Sequence, residues 1–216
     1  MLNLGYSEVL KMYNVNIARY QKELLEQLPE DRHKTVVNLF KNIAFKLEKN
    51  LYYYTNILDN IDNIHNTDDF RSMLPIYFDI ETLLISLRSS IDVVLHLIND
   101  VMELGIESND VHIGSIRRRL KRGSRMFNVL NRYTGRGSGD SWQFLYYFRN
   151  DIVHERSIYE LMDFYLIGEE GNERLYVDFR NKRDDFIQLF RNCFRIVDGF
   201  SSSVFKALVS FAESQK

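Results

Sequence analysis

Proline, glycine and cysteine are all scarce in these 216 residues: two prolines, ten glycines and one cysteine. Strand-rich sandwiches place proline and glycine at their many turns, so this scarcity favours long helices. The lone cysteine, Cys193, excludes an internal disulfide and any multi-cysteine zinc site, and it fits a reducing compartment. No apolar run approaches the roughly 18 residues that a membrane-spanning helix needs. The opening MLNLGYSEVLKMYN has no basic stretch followed by an apolar core. A signal peptide is therefore not expected, and the expected location is cytoplasmic, away from any membrane.

What is present describes an ordinary globular chain, with 45% hydrophobic and 27% charged residues. Its length points to one domain spanning 1–216 that buries about 70% of its unfolded surface without staples. The formal net charge of −2 conceals an asymmetry. Arg117, Arg118, Arg119, Lys121, Arg122, Arg125, Arg132 and Arg136 occupy one window that holds no acid, which leaves the remainder of the chain at −10. A basic face on an acidic body is a candidate anion-binding surface.

Apolar spacing of three and four residues predicts the elements. Tyr6, Leu10, Tyr13, Ile17, Tyr20 and Leu24 mark a first helix over about 5–28, within an N-terminal segment 1–30, and Pro29-Glu30-Asp31 restarts the chain. A second helix carries its stripe from Val36 to about His65, and Asn66-Thr67-Asp68-Asp69 reads as a turn and cap. A third, centred on Ile80, Leu84, Leu87, Ile91 and Val94, stops near Gly105. After Ser108-Asn109-Asp110, the basic segment reads as a single shorter helix to about Tyr133, followed by a Gly-rich loop at 134–139. Asp140, with Gln143 as reciprocal partner, caps a helix that runs to Ile152. The strict alternation of 174–180 and the branched and aromatic run 158–167 predict a small β-hairpin insertion near 157–180. A last helix occupies about 182–213. The expected fold is mainly α: an up-down bundle of five to six helices, two or three of them long.

One block concentrates chemistry. Arg149, Asn150, Asp151 and His154 lie within six residues at the end of an aromatic-rich helix. Asn150 and His154 fall on one face a turn apart, and the long Arg149 side chain can swing toward the same cleft. At a helix C-terminus the backbone dipole favours imidazolium by about 0.3–1 kcal/mol, and Asp151 pushes the same way. Such a histidine can move protons near neutral pH while an arginine offsets phosphate charge. Of the five histidines, only His154 has an arginine five to seven residues before it.

This block resembles the R-x4-6-H motif of the HEPN superfamily, here Arg149-x4-His154 with polar Asn150 directly after the arginine. The resemblance covers about 31–213 and implies a helical domain of a kind that often acts as a metal-independent endoribonuclease in toxin–antitoxin or phage-defence systems. It implies that Arg149 and His154 are the catalytic pair, that Asn150 orients them, and that two motifs meet in a homodimer. No cofactor or metal is implied; RNA and an antitoxin or operon protein are the implied partners. The hairpin departs from the minimal family bundle. The rival expectation is a non-catalytic helical dimer that binds RNA, a nucleotide or a partner protein, and a purely structural bundle is a third.

Further residues attach to the same reading. Glu81, Arg88 and Asp92 form a polar stripe bordering the core of the third helix, which could support the motif's cleft or could be an ordinary ion pair at Arg88–Asp92. Arg117, Arg118, Arg119, Lys121, Arg122 and Arg125 are candidate RNA-phosphate contacts, with Phe127 or Tyr133 as a stacking platform; equally they could be a solvated face. The loop Gly135–Gly139 is not a P-loop, since no Lys-Ser or Lys-Thr follows a glycine. His65 with Asp59, Asp62, Asp68 and Asp69 reads as caps and solvated charge rather than a metal site. Cys193, beside Phe190 and Phe194, reads as packing.

Overall fold

The computed structural model describes residues 15–63, 70–134 and 183–216, together with Trp142 and Leu145. Everything described is helix, turn or short connection, and no strand occurs among the described residues. In chain order the helices are α1 (Ile17–Leu25), α2 (Glu30–Asn63), α3 (Phe70–Val101), α4 (Ile113–Arg119), α5 (Arg125–Thr134) and α6 (Arg183–Glu213), with a 3-10 turn at Ser108–Asp110. The predicted hairpin at 157–180 and the helix from Asp140 to Ile152 lie outside the described residues, apart from buried, helical Trp142 and Leu145.

Three helices dominate, at 34, 32 and 31 residues for α2, α3 and α6. A 34-residue helix is roughly 50 Å long at 1.5 Å per residue. The predicted stripe of α2 is its buried face: Val36, Phe40, Ile43, Leu47, Leu51, Tyr54 and Ile61. Opposite it, Ile80, Leu84, Leu87, Ile91, Val94 and Ile98 of α3 are at most 1% exposed. Asn50 donates to Ser90 Oγ (3.0 Å) and Asn60 to Asp79 Oδ2 (3.2 Å), pairings that fix α2 and α3 as antiparallel neighbours. Burial holds the Asp79 carboxyl above the usual carboxylate range, and the Asn60 bond opposes that shift.

Aromatic rings join α6 to the pair. Tyr54 meets Phe190 and Phe194 at centroid distances of 6.3 and 5.4 Å, and Phe205 meets Phe40 at 5.2 Å and Tyr20 of α1 at 5.6 Å. Low residues of α2 face high residues of α6, so these helices are also antiparallel. Cys193 is fully buried, and burial pushes its thiol pKa up, out of the reactive range.

Helix ends are held by side chains. The first helix does not run unbroken from about residue 5: Asn16 takes a non-helical conformation and its side chain accepts from Arg19 N (2.9 Å), so α1 starts at Ile17. Val15 N then donates to Asp198 Oδ1 of α6 (2.8 Å). At the far end of α3, Arg32 donates to the carbonyl of Asp100 and pairs with Glu103 (2.6 Å), placing a cation where the last carbonyls of α3 are free. Glu103 and Gly105 both adopt positive φ, at 52° and 63°, and Asn99 closes the turn by bonding both backbone groups of Ile106.

The basic segment is two helices, not the single one its composition suggested. Leu120 is extended (φ −78°, ψ 143°), Gly123 sits at φ 80°, and Ser124 N donates to Lys121 O (3.1 Å). Glycine alone takes that φ without steric cost. Ser124 Oγ then accepts from Phe127 N (3.3 Å) and starts α5 afresh.

Candidate functional site

Four of the predicted site residues, Arg149, Asn150, Asp151 and His154, lie outside the described residues. The others fall into two groups on separate elements: Glu81, Arg88 and Asp92 on α3, and the basic residues around the α4–α5 junction.

Arg88 lies on the border of the α3 apolar face and is 9% exposed. Its Nη1 is 2.6 Å from Asp92 Oδ1, one turn on, so the ion pair expected from the spacing is formed. Glu81, two turns back, is half-buried. Across the groove, α2 contributes Asn50, which donates to Ser90 Oγ, and Ser90 in turn donates to Ser86 O (3.0 Å). Lys46 of α2 faces the same seam: burial and neighbouring Lys49 lower its pKa, while the negative charge of Asp92 works against them. A polar seam of amide, hydroxyl and charged groups thus runs through an otherwise apolar α2–α3 contact. Arg88 is the member with the most to lose from an unpaired charge.

The second group begins with a cap. His112 Nδ1 accepts from Gly114 N (3.1 Å) and Ser115 N (3.3 Å), while Ser115 Oγ accepts from His112 N (3.0 Å). This reciprocal pair starts α4 and orients its arginines. Gly114, Arg117, Arg118, Leu120, Arg122 and Phe127 line a cavity of about 440 Å³. The Arg117 guanidinium lies 5.8 Å from the centroid of the Phe127 ring, and its Nε is buried with no hydrogen-bond partner among the described residues. Of the six basic residues predicted to contact RNA, Arg117, Arg118 and Arg122 face this cavity; Arg119, Lys121 and Arg125 do not line it. Arg125 instead donates to Ser210 Oγ of α6 (2.5 Å), fastening α5 to the long helix.

Tyr133 also turns inward. Its ring contacts Trp142 and Phe200 at 5.8 and 5.4 Å, and its hydroxyl is 3.3 Å from Ser203 Oγ, so Tyr133 is packing rather than a base platform. Asp62, one of the acids near His65, is gripped by Arg183 through two bonds of 2.8 and 3.1 Å, which raise the Arg183 pKa. Asp59 is exposed, and His65, Asp68 and Asp69 lie outside the described residues. The roles of His112, Gly114 and Leu120 were not foreseen. A glycine–serine pair at 123–124, a break followed by a capping residue, was the signal that could have placed the junction.

Among the described residues, no helix is long and apolar enough to cross a membrane. Comparison with family models, with curated proteins and with solved structures returns no match for this chain.

Proposed function

We propose that this chain is a metal-independent endoribonuclease of the HEPN type, working as a cytoplasmic homodimer in a toxin or phage-defence setting. The observation that carries the reading is the Arg149-x4-His154 spacing with Asn150 beside the arginine. The mainly helical fold and the antiparallel α2–α3 pair agree with it, as would an up-down bundle as the full architecture. The seam of Glu81, Arg88 and Asp92 would brace the motif helix, with Asp151 as a supporting acid.

The chemistry uses the substrate's own nucleophile. His154 takes the proton of a ribose 2′-hydroxyl, the 2′-oxygen forms a bond to phosphorus, and the bond from phosphorus to the 5′-oxygen breaks. The imidazolium of His154 then gives that proton to the departing 5′-oxygen, leaving a 2′,3′-cyclic phosphate on one fragment and a 5′-hydroxyl on the other. Arg149 neutralises the charge that builds on the phosphoryl oxygens in the transition state, and Asn150 orients the pair. Because the 2′-hydroxyl is required, DNA is resistant.

Incubation of the purified full chain with RNA in EDTA tests this. Cyclic-phosphate products are expected from wild type, with the rate falling about 100-fold or more in His154→Ala and in Arg149→Ala. Cleavage unchanged in His154→Ala removes the proposal. RNA binding that weakens with salt but gives no turnover selects the rival, a non-catalytic dimer, which the arginine-lined cavity favours.

A further inference from the structure

We propose that the α4–α5 cavity is a discrete binding site for a nucleotide phosphate, with Arg117 as its anchor. Three arginines reach one concavity from two elements: Arg117 and Arg118 from α4, and Arg122 from the junction that Gly123 bends. None of the three forms an ion pair among the described residues, and the surrounding window 117–136 contains no acid to neutralise them. Arg117 is the unusual member. Its guanidinium is steadied by the Phe127 ring, while the half-buried side chain still lines the cavity. Three cations that share one concavity without a counter-charge among the described residues raise the local positive potential, and that marks where an anion belongs.

The shape specifies which anion. Guanidinium forks match phosphate oxygens two at a time, and two or three of them suit a doubly charged group better than a single carboxylate. Leu120 and Phe127 supply an apolar wall against which a sugar or base can rest, a combination an acidic peptide does not need. The volume of about 440 Å³ lies in the range of small-ligand pockets, with room for one nucleotide. Arg119 and Lys121, outside the cavity, are left to contact flanking chain. This deepens the nuclease reading, since it gives an RNA strand a fixed attachment point away from the motif, and it rests on that reading only for the identity of the strand. Binding is measured without cleavage, so the two ideas fail separately.

The test uses the full chain in EDTA, with AMP, inorganic phosphate, a short single-stranded RNA and a poly-glutamate peptide as probes, at about 50 and 200 mM salt. Calorimetry reads the small probes and fluorescence anisotropy reads the RNA. Arg117→Gln and the exposed double change Arg118→Gln/Arg122→Gln are each expected to weaken AMP or RNA binding roughly tenfold or more. The control Arg119→Gln/Lys121→Gln stays within about twofold for AMP, and circular dichroism verifies helicity throughout. The double change also lowers the salt slope for RNA by about 1.4. AMP binding that RNA does not displace identifies a free nucleotide as the source of the phosphate. RNA binding that depends on Arg117 without measurable AMP binding identifies the strand. Equal losses of AMP binding in the control and cavity variants, competition by poly-glutamate as effective as that by RNA, or no binding of any phosphate probe overturns the site.

Discussion

Gly199 owes its place to one neighbour. A Cβ at this position of α6 would come within 3.0 Å of the Tyr133 hydroxyl and 3.9 Å of its Cζ, while the backbone is ordinary helix. Alanine should otherwise favour the helix by about 1 kcal/mol, so two effects of similar size oppose each other. Gly199→Ala is expected to destabilise the protein slightly in the natural background, because Tyr133 must leave Ser203. With Tyr133→Phe the obstructing oxygen is gone, and the same substitution should stabilise. Denaturant unfolding of the four proteins is expected to show a coupling of about 1–2 kcal/mol. Additive effects would mean that the ring can yield without cost. The need for a small residue here could not be read from the sequence, because Tyr133 and Gly199 are 66 positions apart and only the packing of α5 on α6 brings them together.

At the scale of elements, periodicity served well for the long helices. The bounds read for α2, α3 and α6 lie close to those observed because each has a sustained apolar stripe and a clear stop. It failed where charge outweighed pattern. A run of arginines is compatible with helix, so the segment from after Asp110 to about Tyr133 reads as one element, yet Gly123 at φ 80° divides it. Nothing lies within 4 Å of a Cβ built on Gly123, which isolates the backbone term. Gly123→Ala is therefore expected to cost about 1 kcal/mol through strain alone, measured as a fall in unfolding midpoint with the helical content of α5 intact. A neutral result would show that the junction can reach a negative φ, and the α4–α5 angle that shapes the cavity would then not depend on glycine.

Across the whole molecule, Phe205 is where three helices meet. It is 1% exposed and its ring contacts Tyr20 of α1 and Phe40 of α2. Phe205→Ala should remove roughly 3–5 kcal/mol, a large part of the 5–15 kcal/mol typical of a domain, and unfolding followed by circular dichroism should show the midpoint collapse. A loss below about 1 kcal/mol would mean that α1 and α2 do not depend on α6 for their packing. The apolar stripes, the lone buried cysteine and the Arg88–Asp92 pair were all determined by the sequence, because each depends on spacing within a single helix and on solvent avoidance. Three things were decided only by tertiary structure. Tyr133 turns inward rather than offering a face to a base, Arg125 is held by Ser210, and only three of six candidate cations share a cavity. Those outcomes depend on the angle and distance between helices far apart in the chain, and no local period encodes either.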